Sequence, residues 1–263
     1  MRYLILLFSP LVIFAKVHYA KVEPYENITL KSAVSAQVIE AKIELEGKNI
    51  KNGLIIKLDD KLDKIKLKSD KESVELVKNM IEINQQTLKS LQQSLEREKN
   101  YYKRISNIST ASITQKDKAF YGYINARTQY LSVKEKIESL KKQKLDLIYN
   151  IKRLQDSIEK KSIILKNKFL YKLLVHKGDF VNMSMPLAQI KDLTKAKLVL
   201  FLEDDEIQNI KNKTIYINDK ATNYKIDKIW SVADEKFISS YRTEIIIPSN
   251  IYDFSKLLKV EIK

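Results

Sequence analysis

Two long runs of apolar residues recur in alternating steps of three and four, and they constrain this chain more than any other feature. The first runs Val74, Val77, Ile81, Asn84, Leu88, Leu91, Leu95, Glu98, Tyr102, Ile105. The second runs Ala119, Tyr123, Ala126, Tyr130, Val133, Ile137, Leu140, Lys144, Leu147, Ile151, Leu154, Ile158. Such spacing on a helix of 3.6 residues per turn gathers the apolar side chains into one narrow stripe, which must be buried against another helix. Between the runs lies SNISTASITQKD, residues 106–117. Its Ser, Thr and Asn side chains compete for backbone hydrogen bonds and favour turns and caps, and Thr114 with Asp117 reads as a cap for a second helix. The pattern predicts two antiparallel helices, roughly 63–109 and 114–161, joined at a tight tip, each reaching about 70 Å at about 1.5 Å per residue. An intermolecular coiled coil is the rival arrangement; the polar tip favours a hairpin within one chain. Asn84, Glu98 and Lys144 are polar seam positions, and whether they set register or mark a widening of the hairpin stays open.

Four glycines and four prolines in 263 residues leave few points for chain reversal, so the elements must be long. Hydrophobic residues at 44% and charged residues at 31% place the chain in the globular class. The absence of cysteine excludes disulfides, thiolate metal sites and a lipidated N-terminal Cys. Two histidines far apart, His18 and His176, exclude a Cys/His zinc site. The net charge of +15 is spread as Lys from end to end, with no basic run interleaved with aromatics. It reads as a solvated surface rather than a nucleic-acid footprint. Residues 1–15, MRYLILLFSPLVIFA, carry an early Arg2, an apolar run and Ala15. They read as a secretory signal cleaved after Ala15, with Ile13 at the −3 position keeping an uncleaved anchor open. No nucleotide-binding loop, Ser/His/Asp set or supported carboxylate pair is visible, so no enzyme activity and no cofactor are expected. Glu203, Asp204, Asp205 and Glu206 read as the acidic start of a short helix, and Trp230 as core.

Outside the helical middle, two stretches echo each other at a constant offset of 131 positions. GKNIKNG opens at Gly47, GDFVNMS at Gly178; Ile50 matches Val181, and Gly53 matches Ser184. Around them, residues 35–60 and 169–193 carry short strand patterns with a turn at each glycine. Neither stretch can bury its apolar face alone, but two copies packed together make a small sandwich. The half-motifs GKNIKNGLIIKLDD and GDFVNMSMPLAQIKD resemble the biotinyl/lipoyl-type sandwich. Split around a coiled-coil hairpin, the arrangement resembles the HlyD-like periplasmic adaptors, also called membrane fusion proteins. KAKLVLFLEDDEIQNIKNKTIYI resembles the strand, short helix and strand that open that family's β-barrel, and LLKVEIK its last strand.

The resemblance implies an α+β fold, with a long antiparallel α-helical coiled-coil hairpin inserted into a lipoyl-like β-sandwich and followed by a small β-barrel domain. The expected division is a signal at 1–15, a strand joining the barrel at 16–34, a first lipoyl-like half at 35–61, the hairpin at 62–162, a second half at 163–193 and the barrel at 194–263. Gly47, Gly53, Gly178 and Ser184 would form the turns of the two halves. Arg104, Ile108 and Thr114 stand near the positions of the Arg, Leu and Ser with which such hairpin tips dock on a TolC-like channel. Ile replaces Leu, Thr replaces Ser, and one spacing is a residue short. Lys61 lies near where a carrier domain holds its modified lysine, but a helical arm occupies that junction here. By resemblance the protein would be a periplasmic, non-enzymatic adaptor joining an inner-membrane transporter of the RND or ABC type to an outer-membrane channel, several copies forming a ring. The alternative is an exported coiled-coil scaffold with no transport role.

Overall fold

A computed structural model describes residues 16–208, 210–232 and 240–263. The signal segment expected at 1–15 lies outside the described residues. The chain divides into two compact units, the hairpin of Leu58–Ser162 and the body formed by the chain on either side of it.

The body is built from antiparallel strands. In chain order these are β1 (Val17–Lys31), β2 (Ala36–Ala41) and β3 (Lys48–Leu58). The helices α1 (Lys61–Ser106) and α2 (Ile113–Lys160) of the hairpin follow, then β4 (Ser162–Leu173), β5 (Phe180–Val181) and β6 (Pro186–Leu202). After the single turn α3 (Asp204–Ile207) come β7 (Ile215–Ile217), β8 (Lys220–Thr222), β9 (Ile226–Ile229), β10 (Tyr241–Pro248) and β11 (Leu257–Ile262). The path of pairing is β5-β2-β3-β4-β6-β1-β11-β7-β8, with β10 bridging β6 and β9.

Two long strands tie this path together. β1 pairs with β11 over Val17–Lys21 and then with β6, placing Val22 opposite Leu198 and Ile28 opposite Ile190. β6 pairs with β4 near its start and with β10 from Lys195 onward. The register of β1 on β6 shifts between Pro24 and Glu26. Proline has no N–H to give to a ladder, so such a shift is where it is tolerated. Alternate residues of β6 are buried through Ala196, Leu198, Leu200 and Leu202. They join Val22, Ile215, Ile217, Ile245, Ile247, Leu258 and Val260 in one core cluster, as the period of two in a half-buried strand requires.

The two echoing segments meet, and each glycine turn is tied to the other half. The N–H of Gly47 donates to the Leu170 carbonyl at 2.8 Å, and the N–H of Gly178 to the Val38 carbonyl at 2.8 Å. β2 and β5 pair through Ala36 with Val181 and Gln37 with Phe180. Gly47 and Gly178 have φ of 72° and 100°, and Ser184 reaches 67°. These are left-handed conformations that glycine adopts at no steric cost. Gly53 lies within β3 rather than at a turn, and a Cβ there would meet Ile50 Cγ2 at 3.2 Å.

Between β4 and β6, the buried Asp192 carboxylate accepts from the Lys168 ammonium, from the Thr194 N–H at 2.9 Å and from the Thr194 hydroxyl at 2.6 Å. Burial works to raise its pKa, but Lys168 and Thr194 outweigh it and hold the group down at about 2. The acidic run at 203–206 forms a capping box on α3, and Glu206 also contacts His18 Nε2 at 2.7 Å. Trp230, expected in the core, is 40% exposed. It lies just past the end of β9, where its indole packs under the Arg242 guanidinium at 5.0 Å.

In the hairpin, every position named in the two seams is buried or half-buried. Val77 and Ile81 pack with Ile137 and Leu140 in the middle of the hairpin, and Asp63 at the start of α1 pairs with Lys161 just past the end of α2 at 2.7 Å, so the helices run antiparallel. The seam also extends back to Asp70, which is buried and accepts from Lys66 Nζ at 2.5 Å. Asn84 turns inward to its own helix, donating to the Met80 carbonyl at 2.7 Å, so it does not bond across the seam. Glu98 fits because Gly122 faces it: a Cβ there would lie 2.9 Å from Glu98 Oε2. Among the described residues no helix is long and apolar enough to cross a membrane.

Candidate functional site at the hairpin tip

The tip is six residues, 107–112, between the end of α1 and the start of α2. It is longer than the four residues that the expected bounds leave, because α1 ends at Ser106 rather than 109, while α2 begins at Ile113, one residue before the expected start. Its cap is Ser112, not Thr114. The Ser112 hydroxyl accepts from the Gln115 N–H at 3.2 Å, and Gln115 Oε1 accepts from the Ser112 N–H at 2.9 Å, a reciprocal capping box. The sequence offers two overlapping cap patterns, S-x-x-Q and T-x-x-D, and the first closes the shorter turn. On the other side the last turn of α1 carries Lys103 and Arg104, cations placed where the helix dipole is negative. The connection is closed by N–H donation from Ile108 to the Ile105 carbonyl at 3.2 Å and from Ala111 to the Ile108 carbonyl at 3.3 Å.

Arg104 and Thr114 are both exposed and flank the turn, while Ile108 sits on it at 44% exposure. Capping releases Thr114 from a structural role and leaves its hydroxyl on the surface. Two features were not legible as site residues. Ile113, the first residue of α2, is 79% exposed. One turn below, Tyr102 is stacked on Tyr123 with centroids 5.9 Å apart and tilted against Phe120 at 5.5 Å. These rings brace the end of α1 against the start of α2, so the tip is a stiff platform carrying a cation, hydroxyls and two exposed isoleucines. Such a surface carries hydrogen-bond donors beside exposed apolar side chains. Among the described residues no cluster of three or more His, Asp or Glu is placed to hold a metal.

No family model and no curated protein matches this sequence. Solved structures do. MacA from Actinobacillus actinomycetemcomitans matches over 95% of this chain and 79% of its own, at 16% identity and a TM-score of 0.66. The membrane fusion protein Spr0693 from Streptococcus pneumoniae matches over 95% and 99%, at 10% identity and a TM-score of 0.64. A MacA-MexA chimera containing the Pseudomonas aeruginosa MexA hairpin domain matches over 95% and 81%, at 15% identity and a TM-score of 0.54. The fold is that of the membrane fusion proteins. At these identities it is the architecture that is shared, a helical hairpin carried by an antiparallel sheet body, while the tip residues must be judged on their own geometry.

Proposed function

We propose that this chain is a periplasmic adaptor that connects an inner-membrane transporter to a TolC-like outer-membrane channel in efflux or secretion. The observation that carries the reading is the joining of two sheet segments across an inserted hairpin of about 70 Å, with each glycine turn hydrogen-bonded to the opposite half. In this reading residues 35–61 and 163–193 are the halves of a lipoyl-like domain, with Gly47, Gly53, Gly178 and Ser184 as its marker positions. Residues 194–263 with the 16–34 strand form the small barrel. The body engages the transporter, and several copies ring a conduit. No catalytic step is required of any residue; the work is positional.

The hairpin tip is the docking end. Arg104 supplies a cation that can bond carboxylates or carbonyls on the channel's helical end, Thr114 a hydroxyl and Ile108 an apolar contact. Photo-crosslinking in cells from positions 104, 108 and 114 tests this. The expected result is capture of an outer-membrane channel protein. Capture of only soluble or inner-membrane proteins from all three positions would contradict the docking assignment.

A further inference from the structure

The far end of the hairpin carries an unbalanced charge. From Lys99 to Tyr123, a stretch that takes in the end of α1, the turn and the start of α2, five cations accompany one acid. The cations are Lys99, Lys103, Arg104, Lys116 and Lys118, and the acid is Asp117. Along the rest of the two helices, residues 61–98 and 124–160, Lys and Arg are more nearly balanced by Asp and Glu, seventeen to twelve. There the charges also pair, as in Lys66 with Asp70, Lys78 with Glu75 and Lys141 with Glu138. Among the described residues none of the five cations at the far end has an ion-pair partner. Lys116 is half-buried and the other four are exposed.

Apolar surface accompanies this charge. Ile113 and Phe120 lie two turns apart on one face of α2, 79% and 41% exposed, and Tyr121 beside Phe120 is 64% exposed. Tyr121 tilts against Phe120 at 5.9 Å, and Phe120 against Tyr102. The outer rings therefore continue the brace between the helices and are held in place before any partner arrives, which lowers the ordering cost of binding. Exposed aromatics beside an Arg have the character of a protein interface. Asp117 falls between Ile113 and Phe120 on the same face, in steps of four and three. A uniformly anionic surface, such as a layer of lipid headgroups, is repelled there, whereas a protein surface can answer each charge singly. A second copy is not the missing partner either, because hairpin ends standing side by side bring like charges together.

We infer that this end of the hairpin docks on an acidic protein surface, with Lys99, Lys103 and Lys118 as cations beyond Arg104 and with Ile113, Phe120 and Tyr121 as the apolar contact. The inference rests on the docking reading under Proposed function and deepens it by giving the charge of the partner's end. Carboxylates on that end accept from the ammonium and guanidinium groups, and the opposed fields speed encounter as well as fix register.

Photo-crosslinking in cells from position 108 tests it in three full-length proteins. One has the unsubstituted end; one carries Lys99→Glu, Lys103→Glu and Lys118→Glu; one carries Lys89→Glu, Lys134→Glu and Lys142→Glu, three exposed cations without ion-pair partners lower on the helices. Circular dichroism checks that the variants keep their helicity, and the neutral triple with Gln at 99, 103 and 118, a good helix former, reads the same charge if the reversed one unfolds. Capture of an outer-membrane protein is expected to fall at least tenfold on reversal at the far end and less than twofold on reversal lower down. Lys in place of an acid at the captured protein's crosslinked site is expected to restore it. Equal capture by the unsubstituted and far-end variants would overturn the inference and leave the docking reading standing. An equal loss in both triple variants would overturn it too, since net charge rather than its place would then be responsible. No outer-membrane protein captured by the unsubstituted end would overturn both. Vesicles of phosphatidylethanolamine and phosphatidylglycerol supply the lipid alternative: binding that the far-end variant alone loses would overturn the inference in favour of an anionic membrane.

Discussion

Replacing Asp192 by Asn removes the charge that Lys168 neutralises while keeping an acceptor for Thr194, and the cost can be worked from the site. In the folded protein the carboxyl is held at about 2, against an ordinary value of 3.8. Each unit of difference corresponds to about 1.4 kcal/mol, so the ionised carboxylate contributes about 2.5 kcal/mol to folding at neutral pH. The group's folded value is depressed, so its stabilisation is fully present above the unfolded value and is lost as pH falls from about 4 through about 2. The stability gap between the natural protein and Asp192→Asn should therefore be about 2.5 kcal/mol from pH 7 down to about 5, about 1.3 at pH 3 and under about 0.5 at pH 2. Urea unfolding of both proteins across this range, followed by the β-sheet signal, measures the gap directly. A gap independent of pH would refute the argument, because it would mean that packing rather than charge explains the loss. No gap at pH 7 would refute it as well.

Three further substitutions separate positions that look alike in sequence. Gly178→Ala forces a side chain onto a φ of 100° and should cost about 1–2 kcal/mol in chemical unfolding, whereas Gly53→Ala meets no such backbone strain and should cost less, since only the Ile50 side chain at 3.2 Å has to give. Ser112→Ala should lose about 1 kcal/mol with its capping box and speed amide exchange in the first turn of α2, while Thr114→Ala should leave both unchanged. Ile137→Ala, in the core of the seam at 4% exposure, should cost about 2–4 kcal/mol and lower the temperature at which helical ellipticity is lost; an unchanged transition would show that this layer does not hold the hairpin.

How much of this was readable depends on the range of the interactions involved. The seams were, because a three-four pattern on a helix of 3.6 residues per turn permits only one buried stripe; each named position from Val74 to Ile158 is sheltered. Asp70 escaped notice because a carboxylate breaks an apolar count, yet pairing with Lys66 lets it sit in the stripe. The echo between Gly47 and Gly178 correctly marked two positions of positive φ, but extending the pattern put Gly53 into the same class although it is strand. Trp230 was misread because indole size argues for burial, whereas a cation above the ring is enough to hold it at the surface. The pairing of β1 with both β11 and β6 joins residues more than 150 positions apart, and no local spacing encodes that. At the tip, the family resemblance singles out Arg104, Ile108 and Thr114 but not Ile113, whose exposure follows from where the cap falls.

The central physical claim is that the hairpin doubles back so that segments on either side of it build one body. Gln37 and Phe180 test it most directly. They face each other across β2 and β5, and because the Val38 N–H donates to the Asp179 carbonyl they form a non-hydrogen-bonded pair, whose Cα separation of about 4.5 Å suits a disulfide. In this cysteine-free chain, the double variant Gln37→Cys, Phe180→Cys should oxidise to an intrachain disulfide that leaves the protein monomeric on a denaturing gel and resists mild reductant. If the two cysteines stay reduced, or bridge only between chains, the two segments do not meet and the adaptor architecture falls with them.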